Sequence, residues 1–271
     1  MIHASLGIFQ QGGETLEDAR ARQLRNELTS YASRYWAGEA EVAHTFFAQP
    51  RSTEEHLQWL RLQAYKELQP RRDGLILRLV DKLRTDYPNL EHGAGRDDFL
   101  YTIQFLEEEF RHYVLFANVI ESISGEPVTP EGLAPHELAG EHDLRMLRHG
   151  YIEEHGDLAR FASTFCEGGG ASIFYEGQQI GGDLISDRIA VACKGVYDDE
   201  IDHAAHGADD LNAGAKTEED WALAKEMVIT ISESRVRMRN EQFGFPLSDE
   251  RLAEIADGKI DLPERFKALL V

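Results

Sequence analysis

Along nearly the whole chain apolar residues recur at spacings of three and four, and almost no stretch alternates with the β-branched content of a strand. The pattern predicts an all-α protein. The first 15 residues read as loosely structured, and a helix follows from about Leu16 to Trp36, ending near Gly38. A short helical piece carrying Glu41, His44, Phe46 and Phe47 stops at Pro50. Ser52, Thr53, Glu54 and Glu55 supply capping residues for a long helix reaching Asp86, which Pro70 should kink or divide. Residues 88 to 98 hold turn formers, and a second long helix then runs from Phe99 to Ser124. Residues 126 to 140, with three prolines and two glycines, form a crossover, and a short helix lies near Glu141 to Arg148. A third long helix covers Tyr151 to Gln179, Gly181 and Gly182 break it, and a fourth runs from Asp183 to about Asp210. One more helix spans Thr217 to Gln242, and a short amphipathic piece precedes the end of the chain. Two helical hairpins joined by a long crossover make a four-helix bundle, with additional N- and C-terminal helices, in one domain whose core covers about residues 54 to 210.

Helix faces then single out chemistry. Glu109 and His112, three apart on one helix, share a stripe with Thr102, Phe105, Phe116 and Ile123, whereas Gln104, Arg111, Asn118 and Glu121 lie on the polar side. Glu200 and His203 line up likewise with Ile189, Ala192, Cys193 and Val196, while Lys194, Asp198 and Asp202 face outward. The same spacing occurs at Glu41 and His44, so it is weak by itself; context must carry it. Buried carboxylates are expensive without a partner, and a metal ion is one that explains two such stripes.

Facing ligands on antiparallel helices should be nearly equidistant from the loop joining them. Glu167 meets that condition with Glu200, their midpoint falling near Asp183 beside the Gly181–Gly182 break. Asp73 meets it with Glu109, and shares a face with Leu62, Tyr65, Ile76 and Val80. Glu67 and Asp81 stay open as alternatives, because Pro70 and Gly74 leave the helix phase there unsettled. The expected metal ligands are therefore Asp73, Glu109, His112, Glu167, Glu200 and His203, an oxygen-rich set suited to two iron ions or a manganese and iron pair. Glu41 and His44 have no hairpin partner at matching depth and read as surface or packing residues, and His136, His142, His149 and His155 as solvated loop or cap residues.

At this point the chain resembles the ferritin-like di-iron carboxylate oxidase and oxygenase superfamily, in the order carboxylate, Glu-x-x-His, Glu, Glu-x-x-His from about Glu54 to Asp210. Glu108 before Glu109 and Asp199 before Glu200 resemble the acidic residues that orient ligands in the oxygen-activating members. Two departures stand out: Asp in place of Glu at the first position, and Val196 where some arylamine N-oxygenases and heme-oxygenase-like di-iron enzymes carry an extra ligating His. The resemblance implies a non-heme di-iron enzyme that activates O2 to oxidise a small organic substrate, by hydroxylation, N-oxygenation, desaturation or oxidative cleavage. In it Glu109 and Glu200 bridge the ions as the catalytic carboxylates, His112 and His203 are terminal, and Phe105, Phe116, Phe174, Tyr113 and Tyr197 line a cavity. Neither a flavin nor a nicotinamide motif is present, so electrons would come from an external ferredoxin or reductase. A homodimer is expected by analogy. The alternatives are a ferroxidase, peroxidase or manganese catalase, and a helical scaffold without metal.

Composition narrows the partners further. Forty-nine acidic against 28 basic residues give a formal charge of -21, a field that repels nucleic acid and anionic lipid. No apolar run has the length of a membrane helix and no leader pattern opens the sequence, which predicts a cytoplasmic protein. Cys166 and Cys193 adjoin the two ligand stripes and read as reduced, small apolar filler. Gly168, Gly169 and Gly170, directly after Glu167, fit close helix packing and space beside the metals equally well.

Overall fold

The computed structural model describes residues 16–90 and 95–263, the side chains of 16–18 and 201–209 excepted. The expectation for the first 15 residues and the side chain of His203 therefore lie outside the described residues. Among the described residues there are eleven α-helices and no strand: α1 (Leu16–Phe47), α2 (Thr53–Leu68), α3 (Leu75–Asp86), α4 (Arg96–Ser124), α5 (Pro130–Leu133), α6 (Ala139–His155), α7 (Asp157–Phe165), α8 (Gly170–Gly177), α9 (Leu184–Gly214), α10 (Glu218–Gln242) and α11 (Asp249–Ala256). None is long and apolar enough to cross a membrane.

Local chemistry sets these limits. Ser52 and Glu55 form a reciprocal cap, the Ser52 hydroxyl accepting from the Glu55 amide at 3.3 Å and the Glu55 carboxylate from the Ser52 amide at 2.8 Å. Thr217 and Asp220 repeat the device at α10. The helix expected to reach Asp86 is divided: α2 ends at Leu68, Gln69 takes the left-handed conformation at φ 43°, and Pro70 has no amide to donate. The third long helix breaks at Gly156, whose φ of 58° suits glycine, and again at a 3-10 turn over Cys166–Gly169. The first helix instead runs straight through Gly38, where a Cβ would meet Ile255 Cγ2 of α11 at 2.9 Å. Gly38 makes room for packing and stops nothing.

Helix α2 packs along α4, α4 against α9, and α9 against α7 and α8. Helix α1 lies against α8 and α10, and α10 also covers α6 and α7, so both helices expected as additions belong to the core. One apolar cluster is built around Trp59, Phe116, Phe174, Ile189 and Phe243, and a second around Trp36, Leu144, Phe165, Trp221 and Ile231. On α1, Glu39 falls between Trp36 of the second cluster and Val42 of the first, and it is fully buried. Polar chemistry is thereby held inside the apolar frame.

Candidate metal centre

Helix α4 turns Glu109 and His112 inward, as its stripe predicts, and α2 delivers Glu67 from the last turn before the Gln69 break. The ligand atoms of Glu67, Glu109 and His112 lie within 4.8 Å of one another, and all three residues are buried. His112 is held from behind. Its Nε2 is 3.1 Å from Oδ2 of Asp199, and because a carboxylate only accepts, the proton resides on Nε2. Arg111 Nη2 approaches the same Asp199 oxygen at 3.1 Å and fixes it.

The other ring nitrogen, Nδ1, is buried without a hydrogen-bond partner. It has Glu67 Oε2 at 3.8 Å and Glu200 Oε1 at 3.9 Å, so a lone pair faces two carboxylate oxygens. With both carboxylates ionised that arrangement is unfavourable unless a cation lies among the three groups; in the metal-free protein a proton on Glu200 relieves it. Glu67 is itself anchored: Gln63 Nε2 donates to its Oε1, and Gln242 Nε2 donates to Gln63 Oε1 at 2.7 Å. Burial, then the neighbouring Glu67 and Glu200, hold the Glu109 carboxyl well above the usual carboxylate range. Burial, then Glu67 and Glu167, push Glu200 up to about 8. Three carboxylates and one imidazole are a donor set that fits a hard or borderline dication.

Asp73 does not join the group. It lies in the α2–α3 connection with its side chain 65% exposed, 3.6 Å from Arg71 Nε and 3.8 Å from Arg145 Nη1, and Glu67 stands in its place. The broken helix is the cause, since residues after Gln69 no longer follow the α2 stripe. Glu167 lies beside the group, on the 3-10 turn, but its carboxylate bridges Arg148 Nη2 and Arg235 Nη1. Glu41 pairs with Arg251 at 2.7 and 2.8 Å and the exposed His44 with Glu176 at 3.1 Å, both away from the cluster.

A charged network backs Glu167 that the sequence reading did not single out. Arg235 donates to both oxygens of Glu39, at 2.9 and 3.1 Å, and Arg239 Nε adds a bond to Glu39 at 3.2 Å. Lys66 donates to Glu141. Burial works against the charged Glu141 carboxylate, but Lys66 and Arg148 outweigh it and bring it down to about 2. Burial likewise opposes ionised Glu167, and Arg148, Arg235, Lys66 and Arg239 together hold it below the ordinary carboxylate range. The signal was available: Arg235 and Arg239 share the α10 stripe of Val228 and Ile231, and Glu39 shares the α1 stripe of Ala32 and Ala43.

The glycine triplet divides between two tasks. A Cβ on Gly168 would meet the Trp36 ring at 2.8 Å and one on Gly169 would meet Glu39 Oε1 at 2.3 Å, so these two allow close packing. Around Gly170 the nearest atoms are 3.8 to 4.0 Å from such a Cβ, and they belong to Arg235, Arg239 and Glu200. Gly169→Ala is expected to lower stability by about 1–3 kcal/mol, because Glu39 is too well held to move aside; an unchanged melting curve would show that it moves freely.

The cluster opens on a cavity of about 430 Å³ whose walls include Glu67, Glu109, Glu167 and Glu200 with Phe105 and Phe174. Phe116 packs in the core at 5.9 Å from the Phe174 ring, Tyr113 reaches the Val128 carbonyl, and Tyr197 rests on Tyr175, so these three expected lining residues serve packing. Both cysteines are buried, and burial pushes the Cys166 thiol up to about 11, away from reactive thiolate. The chain matches no family model, no curated protein and no solved structure.

Asp199 touches the cluster through His112, so if the cluster holds a metal ion Asp199→Asn is expected to weaken its affinity about 10–100-fold while leaving the helical signal intact. A competition titration with a chelating dye reads this, and wild-type affinity in the variant would remove Asp199 from the centre.

Proposed function

We propose that this protein is a non-heme di-iron oxidase or oxygenase of the ferritin-like type, which uses O2 to oxidise a small organic substrate. The observation that carries the reading is His112: fully buried, its tautomer set by Asp199, its free nitrogen turned toward the carboxylates of Glu67 and Glu200 with Glu109 alongside. Glu67, Glu109, His112 and Glu200 would hold the ions, and His203, whose side chain lies outside the described residues, remains a ligand expected from the sequence alone. When bound, a pair of redox-active ions supplies O2 binding and oxidising power.

The chain's own residues do the remainder. Asp199 and Arg111 keep the imidazole in its ligating orientation, and the Gln242–Gln63 pair keeps Glu67 in place. Glu200 would give up a proton on binding a metal ion, since burial, then Glu67 and Glu167, push its carboxyl up to about 8. Phe105 and Phe174 offer the substrate an apolar wall and exclude water from that side of the cavity. A cavity of this size beside the carboxylates favours organic oxidation over bare metal storage. Electrons are supplied by an external ferredoxin or reductase.

The test is anaerobic iron loading, metal analysis, and rapid mixing with oxygenated buffer. About two irons per chain and a transient visible band support the reading. Less than one metal per chain with no absorbance change overturns it. His44→Ala, remote from the cluster, is expected to retain full metal content; equal loss there would mean the wrong Glu-x-x-His pair is ligating.

A further inference from the structure

We propose that the substrate of this cavity carries a carboxylate, and that Arg148 and Arg235 form the subsite that receives it. The subsite already holds a carboxylate, that of Glu167, one oxygen taken by Arg148 Nη2 and the other by Arg235 Nη1. Two guanidinium groups, one per oxygen, satisfy both oxygens of a carboxylate with charge-assisted hydrogen bonds. Glu167 is the more accessible of the two carboxylates bound to Arg235: its side chain is 40% exposed and lines the cavity, whereas Glu39 behind it is fully buried.

Arg148 also has binding capacity in hand. Its Nε is buried without a hydrogen-bond partner, and Nε with Nη2 makes up the edge of a guanidinium that grips a carboxylate with two bonds. Glu167 uses only Nη2 of that edge. Charge points the same way. Lys66, Arg148, Arg235 and Arg239 line this part of the cavity, and their ion-pair partners are Glu39, Glu141 and Glu167, so four cations meet three carboxylates. The carboxylates of Glu67, Glu109 and Glu200 are committed to the cluster in the proposed function, on which the identity of this ligand as a substrate rests. Leu75, Phe105, Leu144 and Phe174 line the same space, so the carboxylate should end an apolar stem short enough for about 430 Å³.

The experiment is calorimetric titration of the metal-free chain with hexanoate, its neutral counterpart hexanamide, and hexyl phosphate. Glu167→Gln removes the internal anion while keeping its shape, and is expected to tighten hexanoate binding at least tenfold over wild type with hexanamide unchanged. Adding Arg148→Gln should abolish the gain. Should Glu167→Gln not fold, Arg148→Gln alone decides: hexanoate is expected to raise the melting temperature of wild type and not of that variant. The proposal is overturned if Glu167→Gln binds hexanoate no better than wild type, if hexanamide gains equally, if Arg148→Gln changes nothing, or if hexyl phosphate binds more tightly than hexanoate. Since no metal is present, failure here leaves the metal reading standing, and failure of iron loading leaves this subsite standing.

Discussion

Glu109→Ala and His112→Ala are each expected to take metal content from about two ions per chain to below one and to abolish the reaction with O2, with helical content retained. Each removes a donor from a group in which three residues approach within 4.8 Å. Glu67→Ala should follow them, whereas Asp73→Ala should retain metal, because the Asp73 side chain is exposed and faces Arg71 and Arg145. The same substitutions separate function from stability. Glu109 is a buried carboxyl beside two others, so Glu109→Gln is expected to raise the melting temperature of the metal-free protein even as it destroys the metal site. A structural carboxyl would show the opposite, a loss of stability without any effect on metal. Metal loss in Asp73→Ala equal to that in Glu109→Ala would place the first ligand in the α2–α3 connection and overturn the assignment of Glu67.

The inward faces of α4 and α9 were legible because those helices are long and unbroken, so that a periodicity of three and four holds across many turns. Thr102, Glu109, His112 and Phe116 are buried on the face the pattern assigns, and Gln104, Arg111, Asn118 and Glu121 are exposed. Periodicity failed where the backbone left the helix. Asp73 matched both stripe and midpoint, but both presuppose a continuous helix, and Gln69 and Pro70 end it one turn earlier. Glu67 on the last turn is the carboxylate that remains in phase.

The charged network was hidden by a different error. Ending α1 at Gly38 cut Glu39 off from the stripe of Leu28, Ala32 and Trp36 that makes its burial predictable. A glycine stops a helix when the chain needs the left-handed conformation, and Gly38 instead clears space for Ile255. Arg235 and Arg239 lie on the buried stripe of α10, and a buried pair of arginines demands a buried anion. That demand, met by Glu39 and Glu167, is what turns α10 from an added helix into the back wall of the cavity.

The metal-free protein is expected to lose stability as pH rises from about 5 to about 8, the reverse of the behaviour of a protein held by ordinary ion pairs. Glu200 has a carboxyl raised from 4.5 to about 8 by burial and by Glu67 and Glu167, and Glu109 is raised in the same direction. Between those values the folded chain binds more protons than the unfolded chain, so unfolding free energy falls with pH. At 1.36 kcal/mol per pH unit the loss is on the order of a few kcal/mol, or roughly 5–10 °C in melting temperature for a chain of this length. Glu141, brought down to about 2 against the cost of burial by Lys66 and Arg148, acts oppositely: its stability is present above 4.5 and is lost as pH falls toward 2. The metal-free optimum should therefore lie near pH 5. Ligation requires these carboxyls to be ionised, so the melting-temperature gain on adding Mn(II) should grow from pH 5 to pH 8 and cancel the downward slope. Glu200→Gln should flatten the metal-free slope and suppress the Mn(II) gain together, since one proton governs both. A metal-free melting temperature that stays level or rises between pH 5 and pH 8 would mean that Glu109 and Glu200 do not share a buried site, and with that the centre built on His112 would fall.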